Sequence, residues 1–305
     1  MEVLVTGASG FIGSAVRPAL ISAGHRPIIA VRGREVPRGV DGIAWDPEAG
    51  TVDVQALEGV GGVVHLAGAG IGDRRWTPSR KQLIVESRTK STGLLVSTLV
   101  GLGRKPSVLV SSSAVGYYGD RGDEVLTEDS GPGEDFTAQV CRQWEAAAAP
   151  VTGADIRLVT IRTGIVLGRA GGMLARVVAP FRMGLGGRLG SGRQYLSWVS
   201  LDDEVAVIVR ALEQSALTGA TNVTAPAPVT NAEFTDTLGR VLHRPTRVPT
   251  PLTPLRAVYG RELVESLLLG GQRVLPAALT AGGFEFAHPT LEGALRAALD
   301  RPESS

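Results

Sequence analysis

Lysine is nearly missing from this chain. Of its 31 basic residues only Lys81, Lys90 and Lys105 are lysines, and none follows position 105. Chemistry that needs a lysine in the last two hundred or so residues is therefore excluded. Cysteine is scarcer still: Cys141 stands alone, so no intrachain disulfide can form. The four histidines, His25, His65, His243 and His288, are scattered without metal-ligand spacing, so no metal is expected. A net charge of +1 supplies no global field toward nucleic acid or a membrane surface. Arg74-Arg75-Trp76 is too short a basic run to alter that. No apolar run approaches the roughly 20 residues of a membrane span. A strand-like run begins at Glu2–Thr6 with no basic and apolar leader before it, which reads as a soluble, cytoplasmic protein.

What is present is an alternation of short apolar runs and helical stretches. Val3–Thr6, Ile28–Val31, Gly62–Leu66, Ser107–Val110 and Arg157–Ile161 read as strands. Ile12–Ala23, Trp76–Leu102 and Phe136–Ala149 read as helices. Near-continuous apolar strands between helices argue a parallel sheet covered on both faces. After about Arg162 the pattern changes. Gly168–Gly192 is glycine-dense and reads as loop and turn over a cleft. Asn231 is expected to cap a helix at Ala232–Leu242, and Leu255–Leu299 reads as a helical C-terminal segment. The expected fold is α/β, a doubly wound parallel sheet with a smaller substrate-side part. Residues 1–165 would form the dinucleotide-binding domain, with sheet elements added by 201–224, and 166–305 the smaller region.

Thr6-Gly7-Ala8-Ser9-Gly10-Phe11-Ile12-Gly13 follows a strand and opens a helix. Gly7 permits a tight turn, Gly10 lets backbone approach a pyrophosphate, and Gly13 lets the helix lie close on the sheet. The helix start then offers free N–H groups and partial positive charge to phosphates. This is a Rossmann-type site for a nicotinamide dinucleotide. In sites for NAD, an acidic residue about 20 positions on takes the ribose 2′-hydroxyl. Here that place holds Arg32, with Arg34 beyond it. A carboxylate repels a 2′-phosphate and a guanidinium grips it, so NADP(H) is expected.

With Thr6–Gly13, His65-Leu66-Ala67-Gly68 and Ser111–Gly119, the chain resembles an extended short-chain dehydrogenase/reductase. The closer resemblance is to an atypical epimerase-family branch, at Arg162–Gly168, Pro180–Gly187, Ser197-Trp198, Asn222–Pro226 and Gly270–Pro276. The resemblance implies NADP(H) binding and a cofactor set of Thr6, Gly7, Gly10, Phe11, Ile12, Gly13, Arg32, Leu66, Ala67, Arg88 and Arg162. In it, Leu66 and Ala67 line the cofactor, and Arg88 and Arg162 reach its ribose or phosphate groups.

Enzymes of that family use Ser, Tyr and Lys, with Tyr as proton donor or acceptor and Lys four residues on lowering its pKa from about 10. This chain departs from the pattern. Anchored on Glu145, the Tyr position falls on Thr137 and the Lys position on Cys141. Ser113 and Tyr117 are the remaining catalytic candidates, with a purely structural role as the alternative. Trp198 reads as facing substrate or filling core. Arg162, Arg182, Arg188 and Arg193 would bind an anionic substrate, and Leu267–Leu269 reads as core or homodimer packing. Two functions stay open. One is an oxidoreductase or epimerase-like enzyme acting on a small polar molecule such as a sugar or nucleotide-sugar. The other is a non-catalytic, NADP(H)-sensing regulatory binding protein.

Overall fold

A computed structural model describes residues 1–33, 35–36, 39 and 41–300. Arg34 and the tail Arg301–Ser305 lie outside the described residues. The strands of the main sheet are β1 (Glu2–Thr6), β2 (Arg26–Arg32), β3 (Gly42–Asp46), β4 (Thr51–Val52), β5 (Gly62–His65), β6 (Val108–Ala114), β7 (Arg157–Thr163) and β8 (Gly219–Val223). They lie in the order β8-β7-β6-β5-β1-β2-β3-β4. All pair in parallel except the short edge strand β4, which runs antiparallel to β3. The order reverses between β1 and β5, which makes the doubly wound topology.

The strands are apolar on both sides because both faces are covered. Val3 and Val5 point to one face, with Val16 and Leu20 of helix α1 (Phe11–Ser22) and Val205 and Ile208 of a helix at Leu201–Glu213. Leu4 points to the other face, with Leu95 and Leu99 of α2 (Pro78–Gly101) and Ala148 of α3 (Phe136–Ala148). α1 begins with an uncapped glycine, whereas α2 and α3 are capped by the side chains of Thr77 and Asp135.

The second half differs from the sequence expectation in three places. Gly172–Arg182 is a helix inside the glycine-dense stretch, here α4, burying Leu174, Val178 and Phe181. The helix Leu201–Glu213 is α5. Helix α6 (Asn231–Leu242) is capped by Thr230 in a capping box with Glu233; Asn231 instead accepts from the Leu189 amide, 2.8 Å. The C-terminal stretch is broken into short helices and a two-residue strand, Arg273–Val274, that pairs with Val125–Leu126. Trp198 is only 1% exposed and packs with Leu174 and Phe181, so it fills core and does not line a cleft. Among the described residues, no helix is long and apolar enough to cross a membrane.

Candidate functional site

The loop after β1 is shaped by its glycines. Gly7 has φ +67°, and a Cβ there would stand 2.9 Å from the Leu66 carbonyl. A Cβ on Gly13 would stand 2.2 Å from the Gly7 oxygen. Thr6 locks the neighbouring loop to this turn: its hydroxyl oxygen accepts from the amides of Leu66 (3.1 Å) and Ala67 (3.3 Å). The same hydroxyl lies 2.7 Å from His65 Nδ1, so its proton goes there, and His65 Nε2 lies 2.9 Å from the Thr92 hydroxyl. This assigns neutral His65 with the proton on Nε2. Burial agrees, pushing its pKa down to about 4. α1 has neither a capping side chain nor an acid in its first turn. α5, by contrast, is capped by Ser200 and opens with Asp202, Asp203 and Glu204. The start of α1 therefore fits an anion that the chain itself does not supply, and the residues present fit a dinucleotide pyrophosphate. The Phe11 ring packs on a second group of glycines. It wedges beneath Gly168, Gly171 and Gly172, where added Cβ atoms would meet it at 2.7, 2.5 and 3.2 Å. Arg32 ends β2 and is exposed, with no carboxylate partner among the described residues.

A second constellation closes the same edge of the sheet. Register places Ser113, Arg162 and Asn222 side by side on β6, β7 and β8, facing the α3 side. Arg162 donates from Nε and Nη2 to the two Glu145 oxygens, 2.9 Å each, and from Nη1 to the Tyr118 hydroxyl, 3.0 Å. Ser113 donates to Glu145 Oε1, 2.6 Å, and Tyr118 donates to Asn222 Oδ1, 2.6 Å. The Tyr117 ring lies against the Arg162 guanidinium at 3.4 Å and is edge-on to Tyr118. Burial alone lowers the Arg162 pKa, but the Glu145 hydrogen bonds and charge outweigh it and hold the guanidinium firmly protonated. Burial pushes the Tyr118 hydroxyl above its ordinary value, so it is no ready proton donor at neutral pH. Tyr117, half-buried, keeps its ring on a fixed positive charge.

Arg88 and Arg162, which the resemblance assigns to the cofactor, both have protein partners. Both guanidiniums are engaged within the protein. Arg88 donates to the carbonyls of Ala69 (2.9 Å) and Ile84 (3.0 Å) and stacks on Trp144. Burial lowers its pKa to about 10, still protonated at neutral pH. The Tyr and Lys positions are also filled by packing. Thr137 donates to Asp135 Oδ1, 2.7 Å, the carboxylate that caps α3. Cys141 lies under Gly116, and burial, then the Glu145 charge, push its thiol up to about 11. Neither group moves a proton at neutral pH. Sequence reasoning missed Glu145 and Asn222. Glu145 follows Thr137 and Cys141 at intervals of four on one helix face, the signal that marks it.

Glu204 is a buried acid on the opposite face. It accepts from the Thr163 hydroxyl, 2.8 Å, while its other oxygen has no partner among the described residues. Burial raises its pKa to about 8, against 4.5 ordinarily. A raised carboxyl pKa means that stability is full below pH 4.5 and declines as pH climbs from there through 8. Glu204→Gln should thus raise the thermal midpoint more at pH 8.5 than at pH 5. A gain equal at both pH values in calorimetric scans contradicts the buried neutral acid.

Residues 3–223 match the description NAD dependent epimerase/dehydratase family, and residues 250–298 match a domain of unknown function, DUF1731. Epimerase family protein Mb2239 of Mycobacterium bovis is 45% identical over 300 residues, 98% of each chain. The crystal structure of human epimerase family protein SDR39U1 (isoform2) with NADPH is 34% identical, covers 99% of this chain and 100% of that one, and has a TM-score of 0.90. A nucleoside-diphosphate sugar epimerase from Corynebacterium glutamicum is 34% identical with a TM-score of 0.80; the match covers 98% of this chain and 58% of that one.

Proposed function

This chain belongs to the NAD dependent epimerase/dehydratase family, and from that membership we propose that it binds NADP(H) and carries out oxidoreductase or epimerase chemistry on a small polar substrate, a sugar or nucleotide-sugar. One observation carries the reading. The uncapped, glycine-shaped start of α1 and the Ser113–Tyr117 group open at the same edge of one parallel sheet, where its strand order reverses. The NADPH in the human relative and the nucleoside-diphosphate sugar named for the Corynebacterium relative support the choice of cofactor and substrate class.

In this reading the backbone at Gly7, Gly10, Phe11, Ile12 and Gly13 holds the pyrophosphate. Leu66 and Ala67 line the adjoining wall, and Arg32 takes the 2′-phosphate. A bound nicotinamide dinucleotide supplies reversible two-electron oxidation and reduction. The chain supplies the proton. The Tyr117 hydroxyl gives or takes it at a substrate oxygen, and the Arg162 guanidinium against its ring at 3.4 Å fixes the ring's orientation. Ser113 donates its own proton to Glu145, which leaves its oxygen lone pairs to accept from a substrate hydroxyl. Glu145, Arg162, Tyr118 and Asn222 act as positioning residues, and Arg88 fixes the loop carrying Ala67.

Incubation with NADPH and a panel of aldehydes, ketones and nucleotide-sugars tests this, with absorbance of the reduced cofactor and product analysis read together so that a redox-neutral epimerase is seen. Tyr117→Phe should lower turnover by about 10²–10⁴. Tight NADPH uptake with no product from any substrate selects the sensing protein instead. Arg32→Asp should weaken NADPH binding by about 2–3 kcal/mol in calorimetry. Unchanged NADPH affinity in that variant removes the 2′-phosphate assignment.

A further inference from the structure

A net charge of +1 hides a local imbalance. Between Asp155 and Asp202, and again between Asp236 and Glu262, the chain carries arginines and no acid. The fold brings the middles of these two stretches together. Arg244 donates from Nε to the Arg182 carbonyl, 2.7 Å, and the Thr250 amide donates to the Arg188 carbonyl, 3.0 Å. The Thr250 hydroxyl donates to the Gly187 carbonyl, 2.9 Å, and Leu189 pairs with Thr250 as an isolated bridge. Residues 182–193 and 244–250 thus form one lip. Arg182, Arg188 and Arg193, expected to meet an anionic substrate, are exposed on it with Arg244 and Arg247. Arg188 and Arg244 donate to backbone carbonyls. The side chains of Arg182, Arg193 and Arg247 make no hydrogen bond or ion pair among the described residues. Asp236, the acid that precedes the second stretch, accepts from the Thr246 hydroxyl, 3.1 Å.

Apolar side chains stand out from the same lip. Met183 is 67% exposed, Leu185 68% and Val248 74%. The turn that carries the first two is rigid. The Gly184 amide donates to the Phe181 carbonyl, 2.9 Å, and the Leu185 amide to the Pro180 carbonyl, 2.9 Å, with Gly184 at φ +75°. That is a Schellman end to α4, in which a residue at the Leu185 position commonly packs back on its helix. Here it is held out in water instead. Val248 is fixed as firmly: a Cβ on Gly187 would stand 1.8 Å from the Val248 carbonyl oxygen.

The pairing of exposed cations with protruding aliphatic groups selects the partner. A second copy of the same lip would bring like charges together. A peptide groove shelters its apolar side chains, whereas these project by two-thirds or more. Nucleic-acid phosphates would engage the arginines and leave the aliphatic groups in water. An anionic bilayer answers both, with phosphates at headgroup depth and an apolar boundary just beneath. We propose that this lip docks the protein on an anionic phospholipid surface. Met183, Leu185 and Val248 enter the interface, and the arginines pair with lipid phosphates. The inference goes beyond the cofactor and substrate reading and does not depend on it.

Co-sedimentation with vesicles tests it. The probes are vesicles of phosphatidylcholine alone and of phosphatidylcholine with roughly one-third phosphatidylglycerol. The protein should bind the mixed vesicles, not the neutral ones, and added salt should weaken the binding. The double variant Met183→Ser with Leu185→Ser should bind roughly tenfold to a hundredfold more weakly, because two aliphatic side chains no longer leave water. Arg182→Gln with Arg247→Gln should lose roughly tenfold to thirtyfold, at about fivefold for each cation near the surface. Both variants should keep the wild-type thermal midpoint, since the altered side chains are exposed. No binding to the mixed vesicles overturns the proposal. So does equal binding to neutral vesicles, or a serine variant that binds as tightly as wild type, which shows adsorption by charge alone. Vesicle-free dimers that the serine variant abolishes make the lip an interface between copies instead. Binding of soluble polyglutamate that the serine variant weakens makes it a site for an acidic protein.

Discussion

Glu145→Leu should be the most destabilising single change in the site, by about 3 kcal/mol, the lower end of the range for orphaning a buried charge. The lower end applies because the Glu145 side chain is 18% exposed and water screens part of the pair, whereas that of Arg162 is 6% exposed. Removing the carboxylate leaves the guanidinium facing Ser113 with two N–H groups unanswered. The double variant Glu145→Leu with Arg162→Met should recover much of the loss, because it removes the orphaned charge along with its partner. Urea midpoints at pH 7 give both numbers. A single variant within about 1 kcal/mol of wild type shows the pair to be a weak, solvated contact. The double variant should still lose turnover, since Tyr117 no longer has a cation beneath its ring.

Gly13→Ala should abolish dinucleotide uptake. Its Cβ would lie 2.2 Å from the Gly7 oxygen and 2.8 Å from the Ala8 Cα, both rigid backbone atoms. α1 must therefore move away from the turn, and a displacement on the order of 1 Å of the phosphate-facing amides costs about a hundredfold in function. Overpacking adds roughly 1–3 kcal/mol of lost stability. Gly93→Ala in the middle of α2, where nothing lies within 4 Å, is the control and should stabilise by about 0.5–1 kcal/mol. Calorimetry with NADPH and thermal unfolding separate the two losses. NADPH affinity within threefold of wild type in Gly13→Ala overturns the cradle.

The cradle was legible because its information is local. Gly7, Gly10 and Gly13 stand within seven residues, between an apolar run and an amphipathic helix, and short-range sterics fix the turn. The helix α4 was concealed for the same local reason. Gly171 and Gly172 at its start and Pro180 within it mimic a loop, although Leu174, Val178 and Phe181 carry the helical spacing. β3 is five residues long and shows its alternation only at Ile43 and Trp45. Asn231 was misplaced by one residue because Thr230 with Glu233 forms the stronger cap.

By itself the sequence determined the alternating α/β order, the phosphate turn, the arginine in place of an acid after β2, and the loss of the Tyr and Lys pair. Each depends on neighbours within one turn or strand. Only the tertiary structure decided what Arg162 does. Strand register sets it beside Ser113 and Asn222, and the packing of α3 brings Glu145 against it. It likewise set the Arg273 guanidinium over the ring of Tyr195, 78 positions earlier in the chain. Pairings across such distances are set by which faces pack together, and no local pattern of residues encodes that.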